Sequence, residues 1–145
     1  MAWEIEEASE FNEWFDGLNE DDQIQVVAAR EYLADTGPAA KFPMSCPIKQ
    51  PNNCGMRELR PGSSGRSEIR ILYAFDSRRI GLLLLAGDKA QIPDDWDDWY
   101  SRNVPRADEI FSREDAIRGE RELNTLPKKA EAKKKQLNKK KGKKR

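Results

Sequence analysis

No histidine occurs anywhere in this chain. The side chain that titrates nearest neutrality, and that most often ligates transition metals, is therefore excluded from its chemistry. Lysine, arginine, tyrosine and the carboxylates remain for acid–base work. Cysteine is scarce as well, with Cys46 and Cys54 alone. Without a CxxC pair or a histidine, they predict two free thiols in a reducing compartment rather than a zinc site or a disulfide framework. Long apolar runs are missing too. The longest, Ile80 to Ala86, falls far short of the ~20 residues a helix needs to cross a bilayer. The opening MAWEIEEASE is acidic and has no apolar centre, which argues against a secretory signal. Together these absences predict a cytoplasmic protein with no membrane association, no metal and no cofactor.

An excess of one charge sign is also missing, but only in sum: 26 basic residues balance 26 acidic ones among 145. From Lys128 to Arg145 there are eleven cations and one glutamate, a charge of +10, so residues 1–127 carry −10. The chain reads as one domain over residues 1–127, long enough to bury a core. Residues 128–145 follow as a lysine-rich tail, nearly free of apolar side chains and expected to be disordered.

The hydrophobic pattern predicts an α+β fold. Trp3 and Ile5 alternate with polar residues as in a half-buried strand. Ser9 is placed to cap a helix with Phe11, Trp14, Phe15 and Leu18 on one side. Asn19 caps a second, with Glu20, Asp21 and Asp22 in its first turn and Ile24, Val27, Ala28 and Leu33 as its apolar positions. Gly37-Pro38 ends it. Residues 38–55 hold four of the eight prolines and read as an irregular connector. Three strands follow: Met56 to Arg60, Glu68 to Phe75 with clean alternation, and Ile80 to Ala86, apolar on both sides like a central strand. Trp96, Trp99 and Tyr100, and then Val104, Ala107, Ile110 and Phe111, lie at helical spacing and extend towards Ile117. Aromatics so spaced belong to a core more often than to a partner-binding surface.

The cations of this sheet are its chemical signal. Arg57 and Arg60 are three positions apart, so strand alternation sends them to opposite faces. With Leu59, Ile69 and Ile71 turned under the helices, Glu58, Arg60 and Arg70 share the open face, and Lys89 follows the central strand. Two guanidiniums on adjacent strands suit phosphate oxygens. The same arginines can equally form cross-strand pairs with Glu58 or Glu68 and do nothing else.

The run RELR, a Gly/Ser turn, GRSEIRILYAFD, IGLLLLAGDK and then WYSRNVPRADEIF resembles the phage and actinobacterial branch of the RelE/HigB toxins, over roughly Trp3 to Arg113. The resemblance implies a strand and helical hairpin packed on an antiparallel meander, with a C-terminal helix beyond. It implies the toxin of a type II toxin–antitoxin system, an endoribonuclease that cuts messenger RNA in the ribosomal A site, and a cognate helix-turn-helix antitoxin. Carried over, the catalytic candidates are Arg60, Arg70, Lys89 and Glu58. Arg57, Arg66, Arg78 and Arg79 are further RNA-contact candidates, the last three in turns where solvated charge is ordinary. The implied reaction is metal-independent attack of the RNA 2′-hydroxyl on the adjacent phosphate. The chain departs from the family in lacking histidine, in its acidic body and in its lysine tail, which by charge would bind RNA or fold back on that body. A gyrase-targeting toxin of the ParE kind, or a silent regulator that binds RNA or protein, is the alternative on the same fold.

Overall fold

The computed structural model describes residues 2–63 and 65–125. In them the chain forms β1 (Ile5–Glu7), α1 (Ser9–Asp16), α2 (Glu20–Thr36), β2 (Ser45–Pro47), β3 (Arg57–Leu59), β4 (Ile69–Phe75), β5 (Gly81–Asp88) and α3 (Trp96–Thr125). The sheet order is β1-β5-β4-β3-β2. β1 runs parallel to β5, and every other neighbour is antiparallel. The α+β class expected from the sequence is the one observed. The lysine-rich tail expected over residues 128–145 lies outside the described residues.

Local signals account for most boundaries. The side-chain oxygen of Asn19 accepts from the Asp22 backbone N–H at 2.8 Å, capping α2. The helix stops at Gly37, whose positive φ of 60° suits glycine; a Cβ there would sit 2.3 Å from the Trp3 ring. The expected cap at Ser9 is corrected: Ala8 takes the extended cap position without a side-chain bond, and Ser9 is the first helical residue. The connector is corrected as well, because β2 adds an edge strand within it, pairing Ser45 with Leu59 and Pro47 with Arg57. Proline is tolerated at such an edge, where no neighbour needs its missing N–H.

The α2 face is a third correction. Val26, Ala29 and Leu33 are buried, whereas Ile24 and Val27 are exposed. Two apolar stripes overlap on this helix, and Asp22 lies on the buried one. Its carboxylate accepts from the Ser67 hydroxyl at 2.7 Å, in phase with the 26-29-33 stripe that faces the sheet.

The sheet is covered on both sides. Phe11, Val26 and Leu33 of the hairpin pack on Leu59, Ile71, Tyr73 and Leu83. On the opposite side Trp96, Trp99, Val104, Ala107 and Ile110 of α3 pack on Leu72, Leu82, Leu84 and Leu85. Each such leucine, fully buried, contributes about 1.5–3 kcal/mol. The face expected to be open is therefore roofed by α3 along much of its length. Between β4 and β5 the register shifts after Leu72: Leu72 faces Leu85, but Tyr73 faces Leu83, leaving Leu84 as the extra residue of a bulge. Consequently Leu84 and Leu85, adjacent in sequence, both join the α3 side.

The Trp96–Tyr100 and Val104–Phe111 segments belong to a single helix, α3, which passes through Pro105. By its contacts the chain divides into Met1–Ser112, which contains the whole sheet, and Arg113–Arg145. In the second unit Arg118 bonds Glu114 one helical turn before it, at 2.5 Å. No helix among the described residues is long and apolar enough to cross a membrane.

Candidate active site

Where β3, β4 and β5 run out at the α3 side, a cleft of about 230 Å³ opens. Glu58, Arg60, Arg70 and Lys89 all line it, beside Tyr100 and Trp96 of α3 and Lys49 of the connector. The antiparallel register explains the gathering. Glu58 pairs with Leu72 and Leu59 with Ile71, so Arg60 follows opposite Arg70. Arg70 in turn pairs with Gly87, where a Cβ would meet the Trp99 indole at 2.9 Å. Glycine at that position lets α3 approach closely enough to form the cleft wall. Lys89 is held just past β5 by its own N–H on the Glu68 carbonyl at 2.9 Å. The Asp88 carboxylate fixes the same turn, accepting from the Glu68 and Ala90 N–H groups at 2.8 and 3.0 Å.

Glu58 is the hub. Its side chain is only 2% exposed. One oxygen accepts from Arg60 Nε at 2.8 Å and lies 3.8 Å from Arg70 Nε. The other accepts from the Tyr100 hydroxyl. A buried carboxylate so satisfied holds two guanidiniums and a phenol in one orientation. Burial pulls the Arg60 pKa down, but the hydrogen bond and charge of Glu58 outweigh it and the net shift is upward. Tyr100 is pushed well above the ordinary tyrosine value, first by burial and then by Glu58; Trp96 and Arg70 offset part of this. Its phenol is thus firmly protonated near neutrality. Stacking of Trp96 on Trp99, with centroids 4.3 Å apart, and the edge contact of Trp96 with Tyr100 anchor this end of α3.

The other arginines of interest lie elsewhere. Arg57 points to the hairpin side, donating to the Ser45 hydroxyl at 2.8 Å and the Ser45 carbonyl at 3.2 Å. That hydroxyl also bonds Tyr73 at 2.5 Å, so Arg57 closes a structural network. Arg78 pairs with Asp76 at 3.4 Å within its turn. Arg79, at a positive φ of 69°, lies 4.4 Å over the Trp3 ring. Arg66 is exposed in the turn before β4, near Asp22 and Asp88. None of these four lines the cleft.

Tyr100 is the site residue that sequence reasoning missed, having been read as one of several aromatics on a helix. Only the packing of α3 across the sheet brings it to Glu58, 42 positions earlier. Cys54 is no substitute nucleophile, because burial and the neighbouring Asp108 push its thiol up to about 12. Among the described residues, no three acidic or thiol side chains gather closely enough to hold a metal ion.

Comparison with known proteins places this geometry in a family. Residues 13–112 match the family described as phage derived protein Gp49-like. The chain belongs to that family. The matched residues run from the second half of α1 through α2, the four strands β2 to β5 and the cleft-lining part of α3. Two provisionally named toxins of Mycobacterium tuberculosis are similar. HigB2 is 42% identical over 99 residues, which cover 68% of this chain and 48% of HigB2. HigB3 is 40% identical over 96 residues, covering 66% of this chain and 79% of HigB3. The chain thus spans about half the length of one relative and most of the other. Among solved structures, a chain of the Mycobacterium tuberculosis toxin–antitoxin complex RelBE2 aligns with a TM-score of 0.47 at 16% identity, over 61% of this chain and 99% of that one. The expected resemblance to RelE/HigB-like toxins is shown by the family match and the two HigB relatives.

Proposed function

We propose that this chain is the toxin of a type II toxin–antitoxin system and cleaves messenger RNA as a metal-independent endoribonuclease in the ribosomal A site. The observation that carries this reading is the convergence of Glu58, Arg60, Arg70, Lys89 and Tyr100, from four separate elements, on one cleft. Relatives named as toxins support it. The cation density fits a phosphodiester, and the cleft size fits a short strand rather than a duplex.

RNA carries its own nucleophile, so the protein has mainly to align it and stabilise charge. The 2′-oxygen attacks the adjacent phosphorus and the bond to the 5′-oxygen breaks, leaving a cyclic 2′,3′-phosphate and a 5′-hydroxyl. Arg60 and Arg70 donate to the non-bridging oxygens as negative charge builds there. Glu58 is too buried to meet the substrate itself. The half-buried Tyr100 instead takes the 2′-hydroxyl proton while passing its own to Glu58. Lys89 supplies the proton that the departing 5′-oxygen needs. Exchange with water then restores both groups.

In this reading the protein works in the cytoplasm, where ribosomes are, and a helix-turn-helix antitoxin restrains it. The eleven cations of residues 128–145, outside the described residues, add RNA or ribosome affinity that falls with salt. Expression in a bacterium with mapping of transcript 5′ ends tests the whole. Wild-type chain should generate new ends within translated messages, and Arg70→Ala should not. Intact transcripts under the wild-type chain, with damaged DNA or with no toxicity, would replace the nuclease reading by the gyrase or regulator alternative.

A further inference from the structure

The helical hairpin carries a surface that the cleft chemistry does not use. Residues 1–36 hold eleven carboxylates against one cation, Arg30, a net charge of −10. Residues 37–127 hold fourteen of each sign. The whole negative excess ahead of the tail therefore belongs to β1, α1, α2 and the residues joining them. Apolar surface lies open in its midst. Ile24 is 57% exposed and Val27 43%, one turn apart on α2. Beside Val27 a groove of about 320 Å³ runs between the two helices, lined by Phe11, Phe15 and Val26 together with Asn12 and the mutually paired Glu7 and Arg30, whose charges offset each other. Exposed acids border the same stripe: Glu20 lies one turn before Ile24 and Glu31 one turn after Val27, while Glu13 and Asp16 flank Phe15 in sequence.

We propose that this face docks a basic amphipathic helix from a protein partner. The apolar side chains of such a helix would enter the groove at i, i+3 or i+4 and i+7 spacing, with lysines and arginines meeting the carboxylate rim. Charge decides the class of occupant. Phosphate backbones are repelled by a segment whose exposed charges are almost all acidic, and so are acidic helices. A purely polar cation would leave Ile24, Val27 and the Phe15 wall unused. Apolar anchors give affinity and the rim gives orientation and rate of encounter. This surface is built on the side of the sheet away from the cleft, so the inference stands whether or not the chain cleaves RNA.

A fluorescent 20-residue helix of leucine and lysine in heptad pattern is the probe, titrated by anisotropy against the full chain. A scrambled peptide of equal composition and a leucine–glutamate peptide of equal pattern are its controls. The patterned basic peptide should bind, the scrambled one about tenfold more weakly, and the acidic one not at all. Ile24→Ser and Val27→Ser should each weaken binding about tenfold. Phe42→Ser, at a residue 73% exposed outside the groove, should leave it unchanged. The variants alter exposed side chains, and matching thermal unfolding will show that each is folded. Equal binding of the scrambled peptide, or full affinity in both α2 variants, overturns the proposal. So does displacement of the peptide by a single-stranded RNA oligomer at equal concentration.

Discussion

The two sides of one sheet are built on opposite electrostatic plans. On the hairpin side, acids crowd the exterior with Asp22 as the buried exception, bonded to Ser67 at 2.7 Å, and Arg30 is held by Glu7 at 2.5 Å and the Ile5 carbonyl at 2.7 Å. On the α3 side, one carboxylate is buried and cations surround it. Acid outside costs little, since water solvates it. Acid inside persists only because two donors, Arg60 and Tyr100, and the nearby charge of Arg70 satisfy it, and the same arrangement leaves the guanidiniums oriented toward a cleft. The contrast separates a face suited to a cationic partner from a pocket suited to an anionic one.

The largest effects that would sharpen this contrast are catalytic. Arg60→Ala and Arg70→Ala should each lower cleavage on translating ribosomes by about one to three orders of magnitude, whereas Ile24→Ser should leave the rate unchanged. Unaltered cutting by both arginine variants would remove the cleft from the mechanism. Next comes stability. Glu58→Ala strands two guanidiniums and a phenol, and should cost about 2–4 kcal/mol in urea unfolding. Arg30→Ala, at a pair 39% and 25% exposed, should cost about 1 kcal/mol or less. Similar losses from both would erase the distinction between inside and outside acids.

Alkali gives a third test. The Tyr100 pKa is raised on folding, so the folded state holds that proton more tightly than the unfolded chain. Its contribution to stability is complete below the ordinary tyrosine value of 10.0 and fades as pH rises beyond it. Cys54, raised from 9.0 to about 12, adds a loss beginning near pH 9. Unfolding midpoints should therefore fall above that pH, and Tyr100→Phe should flatten the higher part of the decline. A small change is likewise expected from Asn19→Ala on the hairpin, about 1 kcal/mol for a lost cap, with cleavage intact.

Much of this was legible in the residues. The α2 cap, the Gly37-Pro38 stop and the alternation of β4 are local signals that no packing overrides. The placement of Glu58, Arg60 and Arg70 on one face followed from requiring Leu59, Ile69 and Ile71 to be buried, and the register agrees. What could not be read depended on distant contacts. Ile24 and Val27 look like core until the fold pairs Asp22 with Ser67, 45 positions later, on the buried face. The cover over the cleft side was hidden because α3 reaches it from 38 or more residues beyond Glu58, with no local pattern to say which face it takes. Arg57 reads in the sequence as an RNA-contact candidate, and its bond to the Ser45–Tyr73 hydroxyl pair appears only in the fold.

The extra residue at Leu84 carries a consequence for the end of β5. A regular strand beginning with Leu82 toward α3 would send Leu84, Ala86 and Asp88 the same way, and Lys89 to the hairpin. The bulge inverts that parity, so Leu85 and Gly87 take the α3 side and Lys89 emerges among the arginines. A run of four leucines is silent about such a phase slip, since either orientation buries oil. Deleting the extra leucine would therefore give a regular strand with Leu85, Gly87 and Lys89 still on the α3 side, whereas ironing out the bulge at full length would aim the lysine at the wrong half of the molecule.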